Sequence, residues 1–148
     1  MGEQQLLENC IDGRVEEIRV ALEAGEDPNS TGTRKRTCLM FAVDCSRIEV
    51  VALLLSCDGI TVNEKDEDNR TALHDACRRG NVDILRKLLA FPGLLLDERD
   101  IAGFTPVILA ALLSPSSLCL HLMAAKPEVD LDLDVDVDLL CNNLVAMG

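Results

Sequence analysis

The sequence repeats itself with a period of 34 residues. Thr37, Thr71 and Thr105 are separated by this spacing, and each is followed by an aliphatic residue two positions later and by Ala five positions later. A weaker copy, which contains Gly13, lies 33 residues upstream of the second. Four copies account for most of the 148 residues. A chain built in this way is expected to stack similar units side by side, each burying its apolar side against the next.

The third copy shows what one unit contains. Its apolar residues recur at helical spacing on both sides of Gly80, which predicts two short helices joined by a tight turn. Thr71 and Asn81 stand where they can cap the two helices. Helices shorter than about 12 residues are marginal in water, so the stable structure must be the stack. The predicted apolar sides consist of Leu73, Ala76 and Cys77 in the first helix and Val82, Leu85, Leu88 and Leu89 in the second.

These features resemble the ankyrin repeat, whose pattern runs D-x-x-G-x-T-P-L-H-x-A-A-x-x-G and continues into an apolar helix ending in Leu-Leu. The matching residues are Asp66, Thr71-Ala72-Leu73-His74, Ala76 and Gly80-Asn81-Val82 in the third copy, and Asp100, Gly103-Phe104-Thr105-Pro106 and Ala110-Ala111 in the fourth. The resemblance implies an all-α solenoid of paired short helices with β-hairpin fingers. We expect an array over residues 1–125, with approximate repeats at 3–32, 33–65, 66–99 and 100–131.

Several positions depart from the ankyrin pattern. Met40 replaces His and Ser46 replaces Gly in the second copy, and Ile108 replaces His in the fourth. The first copy lacks Thr-Pro, as terminal units often do. Ser114-Pro115 is expected to start the second helix of a degenerate fourth unit.

Residues 126–148, which overlap the end of the fourth unit, form an acidic tail of different composition. From Glu128 to Leu140, Val or Leu alternates with Asp. This alternation predicts either a disordered tail or a strand that forms only against a partner. No polar helix caps the fourth unit, so we expect its apolar end either to form a homodimer or to be covered by residues 129–137.

Composition excludes several classes of partner. The formal net charge of −12 repels nucleic acid. The chain has three Phe and no Tyr or Trp, so it has few aromatic side chains on which bases could stack. The seven cysteines are odd in number and contain no C-x-x-C pair, and the residues before them do not show the charged and then apolar pattern expected of a signal peptide. These features predict a reducing compartment, the cytoplasm with the nucleus as an alternative.

The sequence contains no recognisable catalytic or cofactor-binding motif. No G-x-S-x-G, Cys–His arrangement or phosphate-binding glycine loop is present. His74 and Cys77 are three residues apart, but zinc requires three or four converging ligands. The ankyrin resemblance instead implies that His74 hydrogen-bonds locally. We therefore predict no enzyme activity, no catalytic residue, no metal and no cofactor; an unrecognised enzyme is the weakest alternative.

The main alternative to a soluble binding protein is a membrane-attached one. Residues 104–125 contain no Asp, Glu, Lys or Arg, and 22 such residues are long enough to cross a bilayer. Pro115, its neighbouring serines and the repeat register favour two short buried helices instead.

The ankyrin resemblance implies that the chain binds another protein, as an adaptor, scaffold or inhibitor, through finger tips and exposed inner-helix positions. Arg78 and Arg79 are expected to contact carboxylates of the partner. Asn63 resembles the asparagine that oxygen-dependent hydroxylases modify in many ankyrin repeats. The predicted protein-binding residues are Thr33, Arg34, Arg36, Asp44, Cys45, Glu67, Asp68, Arg70, Arg78, Arg79, Ile101, Ala102, Phe104, Leu112 and Leu113.

Overall fold

A computed structural model describes residues 2–114 and 117–129. Within these ranges the chain forms eight α-helices in four consecutive pairs, which confirms the predicted all-α solenoid. The helices are α1 Gly2–Asp12 and α2 Val15–Glu23, α3 Cys38–Asp44 and α4 Ile48–Leu55, α5 Ala72–Arg79 and α6 Val82–Leu89, and α7 Pro106–Leu112 and α8 Ser117–Ala124.

The repeated threonines start the inner helices α3, α5 and α7. The hydroxyl oxygen of each accepts a hydrogen bond from the backbone N–H three residues later, at 3.2 Å for Thr37 and 3.4 Å for Thr71 and Thr105. Asn81 caps α6 in the same way, accepting from Ile84 N at 3.1 Å. The predicted caps at Thr71 and Asn81 are confirmed.

The helices pack in two layers. The inner helices α1, α3, α5 and α7 each contact the next, and the outer helices α2, α4, α6 and α8 do the same. Leu85 and Leu88 are fully buried between units, whereas Val82 and Leu89 are only half-buried. Because each unit buries its apolar side against its neighbours, stability is shared along the stack.

The apolar segment 104–125 contains two short helices, α7 and α8. Cys119 and Met123 of α8 are fully buried, so the fourth unit contributes to the core. No helix in the described parts of the chain is long and apolar enough to cross a membrane. Residues 115 and 116, with the predicted Pro115 helix start, lie outside the described residues, as does the acidic alternation from residue 130 onward.

Short loops occupy the positions of the predicted hairpin fingers. The first contains a 3₁₀ turn at Thr33–Lys35 and an isolated antiparallel bridge between Thr31 and Thr37. The later loops are closed by hydrogen bonds from Asp66 N to Arg70 O and from Asp100 N to Phe104 O. Over the described ranges these loops form no β-strand beyond that bridge.

Candidate protein-binding surface

The second and third finger loops are both built around a buried aspartate. Asp66 Oδ1 accepts hydrogen bonds from Asp68 N at 2.8 Å and Arg70 N at 3.0 Å. Asp100 Oδ1 accepts from Ala102 N at 3.0 Å and Phe104 N at 2.9 Å. Asn69 and Gly103 take positive φ values of 59° and 86°, which suits these residue types. The same loop geometry therefore recurs 34 residues apart.

Each finger is also bonded to the one before it. Arg36 Nη1 donates to Asp66 Oδ2 at 2.8 Å, and the equivalent Arg70 Nε donates to Asp100 Oδ2 at 3.4 Å. Between the finger backbones, Glu67 N donates to Arg34 O at 3.0 Å and Ile101 N to Asp68 O at 2.9 Å. The three fingers are thus held in a fixed row.

A network of five charges joins the second and third units. Arg36 Nη2 donates to Asp75 Oδ2 at 2.6 Å, and Arg78 Nη2 donates to Asp44 Oδ1 at 2.9 Å and lies 3.4 Å from Asp75. Arg79 Nε donates to Asp44 Oδ1 at 2.9 Å. Arg78 and Arg79, which the sequence predicts to contact a partner, therefore contact Asp44 of the preceding unit in the isolated chain.

Burial and neighbouring charge oppose each other at the two aspartates of this network. Burial raises the pKa of Asp75, and the attraction of Arg36 opposes that rise. At Asp44, burial acts to raise the pKa, but the combined hydrogen bond and charge of Arg79, with Arg78, hold it below its ordinary value. Asp75 is the more deeply buried of the two, so it depends more on keeping its arginine partner.

His74 links the third unit to the fourth. Its Nδ1 accepts from Thr71 N at 3.1 Å, and its Nε2 lies 2.9 Å from Phe104 O, so Nε2 carries the proton and donates. Burial lowers the pKa of His74, which favours the neutral ring that this pattern requires. The local hydrogen bond expected for His74 is present. Among the described residues, no three His, Cys, Asp or Glu side chains converge as metal ligands.

The fourth unit leaves aliphatic side chains open at the end of the stack. Leu118 is 43% exposed, although Ile84 and Val50, one and two repeats earlier, are buried. Ile101 is 67% exposed and Leu113 37%. We call the set Ile101, Ala102, Leu112, Leu113 and Leu118 the open end.

Asn63 connects its own loop to the loop at residues 93–95 of the next unit. Its Nδ2 donates to Gly93 O at 2.9 Å and its Oδ1 accepts from Leu95 N at 2.8 Å. Asn29 makes the matching contacts with Gly59 O and Thr61 N one repeat earlier. Both asparagines therefore connect neighbouring units.

The predicted binding residues lie on the fingers and inner helices, but their exposure differs. The half-buried residues among them are Arg36, Asp44, Cys45, Asp68, Arg70, Arg78, Phe104 and Leu112. The exposed residues are Thr33, Arg34, Glu67, Arg79, Ile101, Ala102 and Leu113, and we call this exposed set the finger face. Sequence reasoning overlooked the roles of Asp66, Asp75 and Asp100; the 34-residue spacing of Asp66 and Asp100 was the available signal.

A family model and individual known proteins both indicate the same kind of repeat in this chain. A family model described as "Ankyrin repeats (3 copies)" matches residues 6–100. Inversin of Gallus gallus is 39% identical over 97 residues, which cover 64% of this chain and 9% of inversin. Ankyrin repeat domain-containing protein 63 of Homo sapiens is 37% identical over 116 residues, covering 74% of this chain and 30% of that protein. Cyclin-dependent kinase inhibitor 2A of Homo sapiens is 38% identical over 115 residues, covering 76% of this chain and 71% of that protein. The chain thus spans only a small part of the first two relatives and most of the third.

Proposed function

The chain belongs to the ankyrin-repeat family, and from that premise we propose that it binds a protein partner through the finger face. Ankyrin repeats are protein–protein interaction modules, and the family is generally non-catalytic. The proposed role is that of an adaptor, scaffold or inhibitor.

The observation that supports the finger face is the row of bonds between successive fingers. Arg36 to Asp66 and Arg70 to Asp100 fix the loops that present the exposed side chains. A surface held in place before binding loses less conformational entropy when a partner docks. The fixed row is therefore suited to recognising a partner with its own ordered surface.

The chemistry of the finger face changes along the stack. Arg34 and Arg79 already pair with Asp68 and Asp44, whereas Ile101 is 67% exposed. Exposed aliphatic residues beside a polar rim are typical of the anchor region of an interface. We propose that the partner covers Ile101 and Leu113 with apolar side chains and aligns its charges along the first two fingers.

Two matched serine variants test this proposal. Ile101 lies on the finger face and Val20 on the outer helix α2, and they are 67% and 64% exposed. Proteins captured from cell extract by the intact chain should be lost with Ile101→Ser and retained with Val20→Ser. Capture of the same proteins by both variants, or loss with Val20→Ser alone, would place the interface elsewhere.

A second, narrower candidate is inhibition of a cyclin-dependent kinase. Its support is the relative named cyclin-dependent kinase inhibitor 2A, 71% of which is matched by this chain. Purified cyclin-dependent kinases should then lose activity on adding the chain, and Ile101→Ser should weaken the inhibition. Undiminished activity across a panel of such kinases would reject this candidate and leave the general proposal intact.

We also propose Asn63 as a substrate for an asparaginyl hydroxylase. Its side-chain amide is held by Gly93 and Leu95 in the folded chain, so modification requires the loop to open. Treatment with such an enzyme should add the mass of one oxygen atom at Asn63, and faster in a destabilised variant. Unmodified Asn63 in both the folded and the destabilised chain would refute this.

A further inference from the structure

A groove with basic edges lies on the outer side of the stack, away from the finger face. It has a volume of about 300 Å³ and is lined by Arg86, Leu89 and Ala90 at the end of α6 and by Leu122, Ala125 and Lys126 at the end of α8. A second hollow of about 320 Å³ lies between α4 and α6 and is lined by Ala52, Leu55, Ser56 and Lys87. We call these two hollows together the outer groove.

Within the described ranges, the outer groove contains cations that are not neutralised by a neighbouring carboxylate, although the protein is acidic overall. Most of the arginines described above are paired with a carboxylate, but Arg86, Lys87 and Lys126 form no ion pair within residues 2–114 and 117–129. The helix dipole favours cations near the C-terminal end of a helix, which accounts for the position of these side chains. It does not account for the partly exposed apolar residues Leu89, Ala90 and Leu122 that lie between them. The groove therefore offers aliphatic contact and unpaired positive charge together.

We propose that the outer groove binds residues 130–138 of the same chain. This segment alternates Asp with Val or Leu, so an extended form has carboxylates on one side and aliphatic side chains on the other. That pattern complements an apolar floor with cationic edges. The open end, whose five residues are all uncharged, offers the aliphatic contact without the charge.

The position and length of the segment also fit. The described chain stops at Val129, which is buried and whose N–H donates to Lys126 O at 3.1 Å. The segment therefore follows directly on a residue that is hydrogen-bonded to Lys126, a cation of the groove. Nine extended residues cover about 30 Å at roughly 3.3 Å each. Crossing α8, α6 and α4 requires only about 20 Å, since packed helices lie 8–10 Å apart.

Amide hydrogen exchange of residues 130–138 in the full chain tests the assignment, with a free peptide of the same sequence as reference. The segment should exchange more slowly in the chain than in the peptide, independently of protein concentration. The double variant Arg86→Glu/Lys126→Glu should lose roughly two- to thirtyfold of that protection, the effect expected from removing two exposed ion pairs. Arg14→Glu/Arg19→Glu makes the same change in net charge at the other end of the stack and should leave the protection unchanged.

A charge exchange separates direct contact from general destabilisation. Adding Asp132→Lys and Asp134→Lys to the groove double variant should restore slow exchange. The proposal is overturned if the segment exchanges like the free peptide, if both double variants behave alike, or if the charge exchange restores nothing. Loss of protection in Leu113→Ser/Leu118→Ser with full protection in the groove variant would also overturn it, because the segment would then cover the open end.

Discussion

Replacing Arg36 with Met should destabilise the stack more than any exposed charge change. The Arg36 side chain is 16% exposed and lies between Asp66 and Asp75, whose side chains are 2% and 1% exposed. Removing one partner of a buried ion pair typically costs about 3–5 kcal/mol, because the remaining charge stays buried. Asp66 keeps two backbone donors and Asp75 keeps Arg78 at 3.4 Å, so the lower end, about 3 kcal/mol, is expected. Against a total stability of about 5–15 kcal/mol, this loss is large.

Urea unfolding followed by far-ultraviolet circular dichroism measures the loss, since the chain has no Trp or Tyr to report by fluorescence. Arg79→Met is the control: its side chain is 47% exposed, and its loss should stay below about 1 kcal/mol. Adding Asp75→Asn to Arg36→Met should recover part of the stability by removing the stranded charge. Equal losses for the two arginines would refute the structural role of the network.

The pH dependence of Arg36→Met gives a second check. Burial already raises the pKa of Asp75, and removing Arg36 takes away the main opposing attraction. A carboxyl with a raised folded-state pKa stabilises the fold when protonated and loses that contribution as the pH rises through this pKa. The deficit of Arg36→Met should therefore shrink as the pH falls toward about 4, where an unfolded Asp also takes up its proton. A deficit that grows on acidification contradicts this.

Three further predictions concern other parts of the stack. Burial lowers the pKa of His74, so the contribution of His74 to stability should be complete above about pH 6.5 and decline as the pH falls. In urea unfolding at a series of pH values, His74→Gln should reduce this decline. An unchanged pH dependence would contradict the prediction. Leu88→Ala should cost about 2–5 kcal/mol in the same assay and Leu89→Ala less, since only Leu88 is fully buried; a reversed order would be inconsistent with the packing. If the open end forms a homodimer, sedimentation should show concentration-dependent association that Leu113→Ser abolishes, whereas a monomer at every concentration would exclude that dimer.

The helices and their caps were predictable from sequence because the repeat supplies several aligned examples of the same local rule. Thr71 had to start a helix if Thr37 and Thr105 did, and a hydroxyl before an apolar periodic run has a known capping role. Burial was harder to predict residue by residue. Leu88 and Leu89 look alike in the pattern, but a helix turns 100° per residue, so one points into the stack and the other toward its edge.

The ion pairs between units were harder to find because they join residues far apart in sequence. In a stack, a residue lies beside its equivalent one period later, so opposite charges at this spacing become neighbours. Arg34 with Asp68 and Asp44 with Arg78 both follow that rule. The rule does not predict the pair formed by Arg36 and Asp75, which are 39 residues apart. These two residues pair because the long Arg36 side chain extends from its finger to the inner helix α5. Only three-dimensional geometry shows that contact.

These internal pairs limit what charge can contribute to partner binding. A partner carboxylate that approaches Arg79 must compete with Asp44, which already holds that guanidinium at 2.9 Å. Exchanging one ion pair for another gains little free energy, whereas covering Ile101 gains the hydrophobic term without breaking an existing contact. Affinity for the partner should therefore fall more with Ile101→Ser than on raising the ionic strength, when both are measured by titration calorimetry. A steep salt dependence with an unaffected Ile101→Ser variant would show that charge, and not the aliphatic part of the finger face, supplies the binding energy.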